Sequence, residues 1–358
     1  MNTREKLAVI RDIFPDERVE RSRERWRRLW EHEDPLDRFP FTLLPLTFNY
    51  YDAGETPEER LQATLDDLIA RKDIVDDFIP SLFTGCKQST MPSLFGAREI
   101  VVNGDFSAEK IIKCTDDFRN LPDPEIRTGT PAWEWLEMQK FFLDELDGAL
   151  PIHVTDSQGP LDIAGSMAGY EQVLLLPYTD EDIYFSFMSK LADAFITYWN
   201  KQKELIGELF IGTHLGAHEY VPSSFGCALS ADSLVMLSED FYINYYEPVV
   251  KKISAAFGGL CIHACGNWAH LIRRISDAEY ISGIHTGEMS TRETLEGGFN
   301  NKTVLSDETL HGDIEEHFAL TREHKLRTTS IFPARAPEGA SFRAYNDMIL
   351  AEAEGVKW

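Results

Sequence analysis

The feature that most constrains this chain is the order of its apolar segments. From Pro151 onward, short runs of strand character (Ile152–Thr155, Cys227–Ser230, Leu260–His263, Tyr280–Ile284, Thr303–Leu305 and Thr328–Phe332) alternate with runs of helical period at 180–207, 238–256, 269–275, 313–324 and 341–353. Strands alternating with helices long enough to cross back over a sheet specify parallel βαβ units. Two earlier apolar runs, Phe39–Leu44 and Ile74–Ile79, bring the strand candidates to about eight, the number of a closed (β/α)8 TIM barrel. The competing α/β architecture is an open doubly wound sheet, but no glycine-rich dinucleotide turn follows the first strand.

The expected fold is therefore α/β, a single elaborated barrel over residues 1–358 with a helical extension at 1–36 and a lid-like insertion at 80–135. Within the extension, Arg18 to His32 is dense in Arg and Glu, with Trp26, Leu29 and Trp30 at helical spacing. That pattern predicts a surface helix held by one apolar stripe, its charges a solvated face. Thr56-Pro57-Glu58-Glu59 combines an N-cap, a first-turn proline and first-turn acids, and opens a helix to about Arg71. The stretch Pro80 to Gly96, rich in Gly, Pro, Ser and Thr, reads as a pocket wall or lid.

Charge narrows the partners. The chain has 35 Lys and Arg against 60 Asp and Glu, a formal net charge of −25. Such a surface does not displace phosphate counterions and is repelled by anionic membranes, so neither nucleic acid nor membrane is an expected partner. No apolar run approaches the length of a transmembrane helix, and the N-terminal segment is charged throughout, which predicts a cytoplasmic protein. Five scattered cysteines (Cys86, Cys114, Cys227, Cys261 and Cys265) suit reduced thiols or metal ligation better than a disulfide framework.

Chemistry concentrates in Leu260-Cys261-Ile262-His263-Ala264-Cys265-Gly266-Asn267. His263 and Cys265 are two residues apart at the C-terminal end of a strand, where side chains at i and i+2 point the same way and can converge on one ion. In a barrel that end is the catalytic face.

His263-Ala-Cys265-Gly-Asn267 resembles the H-x-C-G-N motif of the uroporphyrinogen decarboxylase superfamily, in its corrinoid-dependent methyltransferase branch. Asp156-Ser-Gln158-Gly159-Pro160-Leu161-Asp-Ile-Ala164 resembles the family's "GP" strand-to-loop signature. The segment from Asp232-Ser233 through Leu237-Ser238-Glu239-Asp240-Phe241 to Tyr246-Glu247-Pro248 resembles the approach to its "LSP…F…PY" helix, and Asp37-Arg38-Phe39-Pro40 resembles its "PDRvP" lead into the first strand. The true decarboxylases of the superfamily carry an Arg-Gln-Ala-Gly-Arg loop whose arginines grip substrate carboxylates. The corresponding stretch here, Leu46 to Gly54, has no arginine, and their C-terminal Gly-His-Gly is replaced by Ser330-Ile-Phe-Pro-Ala-Arg335. An acidic chain without those arginines is a poor receptor for a polyanionic porphyrinogen.

The resemblance implies a Zn2+ centre built on His263 and Cys265, and a methyl group passed from a small methylated donor, plausibly a methoxylated aromatic, to cob(I)alamin (methylcobalamin in its charged form) on a separate corrinoid-binding protein. The branch's third ligand is a distant cysteine, and none follows Cys265. Glu219 and Glu288 are the candidate replacements, with His285 behind them. A carboxylate there would harden the site toward ether or phenolic oxygen. The resemblance places catalytic roles at Asp156 and Ser233, the latter with Asp77 as a counterpart of the decarboxylase serine and aspartate. Substrate contacts fall to Gln158, Tyr50, Phe83, Asn267 and His285, with Phe48 and Tyr51 beside Tyr50. Asn267 serves equally as a cap for the helix that follows, and His153 as a satisfied core histidine. The alternatives are tetrapyrrole decarboxylation and a metal-free barrel that binds a metabolite without catalysis. A homodimer is compatible with the sequence but not specified by it.

Overall fold

The computed structural model of the chain describes residues 1–44, 56–85, 87–102, 105–213, 220–222, 225–309 and 313–356. Its strands are β1 (Phe41–Leu44), β2 (Glu99–Val102), β3 (Asp105–Ala108), β4 (Ile152–His153), β5 (Phe210–Ile211), β6 (Cys227–Ser230), β7 (Leu260–His263), β8 (Gly283–His285), β9 (Val304–Glu308) and β10 (Thr328–Pro333). Six of them form one all-parallel sheet in the order β1-β10-β9-β8-β7-β6. Crossover helices at Glu247–Phe257, Ala269–Ser276, Thr291–Glu296 and Ile314–His324 join its successive strands. The α/β class and the parallel sheet thus agree with the sequence pattern. Six strands are paired in this sheet, however, and an eight-stranded closed barrel is not shown among the described residues. β4 and β5 pair in parallel beside it, and two single bridges, Leu82 to Ile152 and Gln158 to Ser230, connect that pair outward.

Helix α1 (Thr3–Ile13) and helix α2 (Asp16–Trp30) form the N-terminal extension. α2 buries Trp26, Leu29 and Trp30, the stripe expected of it, in the main core. Its charges do more than face water. Arg25 pairs with Asp37 and with fully buried Asp77, Arg38 meets Asp77 at 2.8 Å, and Arg18 and Arg71 meet buried Asp76 at 3.1 and 2.5 Å. Arg23, Arg27 and Arg28 pair with Glu along the exposed helix face, as a solvated surface should.

This cluster explains a difference from the sequence expectation. Ile74–Ile79 does not form a strand among the described residues. The backbone N–H of Phe41 donates to Asp77 Oδ2 and that of Leu43 to Asp76 Oδ2, at 3.1 and 3.0 Å. Carboxylates therefore accept from the N–H groups of the β1 edge while the Asp77 backbone N–H donates to the Phe41 carbonyl at 2.9 Å, and the aspartates in turn are held by the arginines. The lid-like insertion also differs from a loose flap, since Thr90–Ser93 is helical and Leu94 and Phe95 belong to the main core. Its β2–β3 hairpin leaves Val101 and Phe106 exposed. Helix α3 (Pro57–Ala70) begins at the expected N-cap Thr56, which forms a capping box with Glu59. Among the described residues no helix is long and apolar enough to cross a membrane.

Candidate metal centre

Parallel pairing brings distant residues into rows. The register aligns Ser230 with His263, His263 with His285 and His285 with Ser306 across β6, β7, β8 and β9. Two residues further along each chain stand Asp232, Cys265, Gly287 and Glu308. The first row shares one face of the sheet by its pairing register, and the second, apart from Glu308 at the end of β9, stands in the loops that leave the strands' C-terminal ends.

Asp232, His263 and Cys265 converge there, offering one ligand atom each within 4.8 Å of one another. His263 Nε2 is 3.3 Å from Cys265 Sγ and 3.7 Å from Asp232 Oδ1. Tetrahedral zinc of ordinary bond lengths sets neighbouring N, S and O ligands about 3.4–3.6 Å apart. The three donors therefore fit zinc, and three protein ligands are the complement that a catalytic zinc site takes from its chain. Asp232 also fixes the loop, because its Oδ1 accepts from the Cys265 backbone N–H at 2.8 Å. Loss of water around the Cys265 thiol, with the negative charges of Asp232, Glu308 and Glu288, pushes it up to about 12. A cation on the donor set would reverse that balance and hold the thiolate. Gly287 leaves room beside the imidazole. With φ of 55°, it would place a Cβ 2.9 Å from the Ala264 carbonyl oxygen and 3.3 Å from His263 Cε1.

A second group of carboxyls flanks the donors. Asp156 accepts from Ser230 Oγ at 3.0 Å, and burial pushes its carboxyl up to about 6 against the opposing pull of that bond and of His263. Asp162 lies deeper, where burial and the charge of Asp232 push it up to about 7. Its Oδ1 accepts from Tyr170 OH and from the Ser233 N–H, at 3.0 and 2.9 Å.

The remaining site expectations fall as follows. Ser233 is fully buried beside Asp162, away from solvent. Gln158 bridges to Ser230 through its backbone, and its buried Oε1 has no hydrogen-bond partner among the described residues. Phe83 is buried, at 8% exposure. Asn267 divides its amide between the Ala269 N–H and Glu293, at 3.1 and 3.2 Å, and so serves the start of the next helix. Glu288 is exposed, near enough to act on Cys265 by charge but outside the converging trio. His285 is buried against His263. Glu219 and Tyr50 lie outside the described residues. His153 is a satisfied core histidine, bonded to Ser81 Oγ and the Thr213 carbonyl. Asp77, locked to Arg25 and Arg38 near the start of β1, is at the opposite end of the sheet from the metal donors.

The sequence reading missed Asp232 as a ligand. A signal for it exists: Asp232 follows β6 by two residues just as Cys265 follows His263 on β7, so parallel register alone sets them side by side.

No family model matches the chain, and no curated protein matches it. Among solved structures it is similar to a methyltransferase from Methanosarcina mazei, at 14% sequence identity and a TM-score of 0.62, over 92% of this chain and 97% of that one. At this identity the likeness establishes the shared α/β fold along nearly the whole chain.

Proposed function

We propose that the protein is a zinc-dependent methyltransferase of the uroporphyrinogen decarboxylase superfamily, which moves a methyl group from a small methylated donor to the corrinoid of a separate protein. The observation that carries this is the convergence of Asp232, His263 and the exposed Cys265 at the sheet's C-terminal ends. When bound there, zinc supplies a Lewis acid for the heteroatom that bears the methyl group, and the partner's corrinoid supplies the acceptor. His263 and Cys265 hold the ion through Nε2 and Sγ, and Asp232 holds it while clamping the Cys265 loop. Asp156, pushed to about 6, exchanges a proton near neutrality and would hold one at the departing heteroatom. Gln158 offers a buried Oε1 acceptor to a donor group on the substrate. An oxygen-bearing substrate such as a methoxylated aromatic suits a site with one carboxylate in place of a second thiolate.

The fold that accompanies this reading is a closed barrel, in which β4, β5 and the Leu82 segment occupy the gap between β6 and β1. The bridges from Leu82 to Ile152 and from Gln158 to Ser230 support it. The test combines metal content with turnover. Purified protein should hold one zinc, lose it in His263→Ala, and methylate cob(I)alamin from an aryl methyl ether only when loaded. Decarboxylation of uroporphyrinogen by the protein would refute the reading, and a folded, active-site-intact protein with no affinity for zinc would leave a metabolite-binding barrel in its place.

A further inference from the structure

At Nδ1 of His263, the ring atom that does not face the other two donors, begins a pair of residues that the donor set does not use. His285 ends β8 and is 1% exposed, and its Nδ1 lies 2.6 Å from Nδ1 of His263. Its Nε2 lies 3.2 Å from Oε1 of Glu308, at the end of β9. Three adjacent strands thus deliver a line of Glu308, His285 and His263 that ends at the metal donors.

The chemistry of the line fixes where its protons sit. Two imidazole nitrogens at 2.6 Å share a proton, since two facing lone pairs repel. The contact with Glu308 is an ion-pair distance without hydrogen-bond alignment, and the carboxylate charge beside Nε2 favours the proton of a neutral His285 on that nitrogen, which leaves its Nδ1 as the acceptor. His263 must then donate from Nδ1, which leaves a lone pair on its Nε2, the atom facing Cys265 Sγ and Asp232. We propose that Glu308 and His285 are positioning residues that hold His263 in the Nδ1–H tautomer, with Nε2 turned to the ion. An imidazole free in water favours the opposite tautomer, so without the relay His263 would carry its proton on the side where the metal binds. The proposal deepens the zinc reading and rests on it for its purpose, but the tautomer belongs to the chain itself.

Nitrogen-15 histidine NMR of the metal-free full-length protein separates the two, with zinc affinity measured beside it by chelator competition. The His263 signals, assigned by their loss in His263→Ala, should show a protonated Nδ1 and an unprotonated Nε2 in the wild type, and the reverse in His285→Phe. Zinc affinity should fall about 10- to 100-fold in His285→Phe and in Glu308→Ala, the usual cost of removing such a partner. Glu308→Gln keeps the shape of the side chain without its charge and should recover only part of it. Glu308 is partly exposed, so its variants test the relay even if His285→Phe fails to fold. A wild-type His263 protonated at Nε2, or zinc affinity unchanged in Glu308→Ala, would overturn the relay. A correct tautomer in a protein that binds no zinc would leave the relay standing and overturn the zinc reading alone.

Discussion

At the scale of single residues, the site concentrates carboxyls that would rather be neutral. Asp162 has a pKa pushed up to about 7 by burial and by Asp232, so the folded chain keeps a proton that the unfolded chain releases near pH 4. The sign follows: this contribution to stability is intact below about pH 4, erodes as pH rises, and is lost above about pH 7, a penalty on the order of a few kcal/mol. In Asp162→Asn the carboxamide oxygen still accepts from Tyr170 and Ser233, while nothing titrates. Denaturant unfolding at a series of pH values between about 5 and 8 should therefore show a flatter pH dependence in the variant than in the wild type. Parallel slopes would mean that Asp162 is ionised in the fold. His263 and Cys265 were legible in the sequence because a strand and an i, i+2 spacing are local facts. Asp232 and Glu308 were not, because their place beside His263 depends on which strands are neighbours and in what register, which no local pattern states.

At the scale of elements, the N-terminal extension is bolted on by charge as well as by its apolar stripe. Asp77 is fully buried and is shared by Arg25, Arg38 and the Phe41 N–H. Removing it strands the Arg38 cation and a backbone donor and leaves Arg25 only Asp37, so Asp77→Ala should cost about 3–5 kcal/mol in denaturant unfolding. Arg23→Ala breaks only an exposed pair with Glu20 on the same helix and should cost less than about 0.5 kcal/mol. An Asp77→Ala loss as small as that of Arg23→Ala would show that Trp26 and Trp30 alone seat the helix. The sequence foretold the helix and its stripe. Ile74 to Ile79 looks like a strand by apolar content, and only the tertiary partner shows that the Asp76 and Asp77 carboxylates take the N–H groups of β1.

At the scale of the whole molecule, the alternation of segments translated directly into a parallel α/β sheet, and the likeness to the Methanosarcina mazei methyltransferase extends over nearly its full length. The sheet's use is to gather four strand ends, β6 to β9, so that residues from 232 to 308 meet at one point. The central claim, that Asp232, His263 and Cys265 form a metal centre, is tested most directly by titrating the metal-free protein with cobalt(II) as a coloured substitute for zinc. One equivalent should give the intense visible bands of a tetrahedral ion together with a thiolate charge-transfer band in the near ultraviolet. That second band should vanish in Cys265→Ser while binding persists more weakly. Only the pale spectrum of hydrated cobalt, or a charge-transfer band unchanged in Cys265→Ser, would contradict the account.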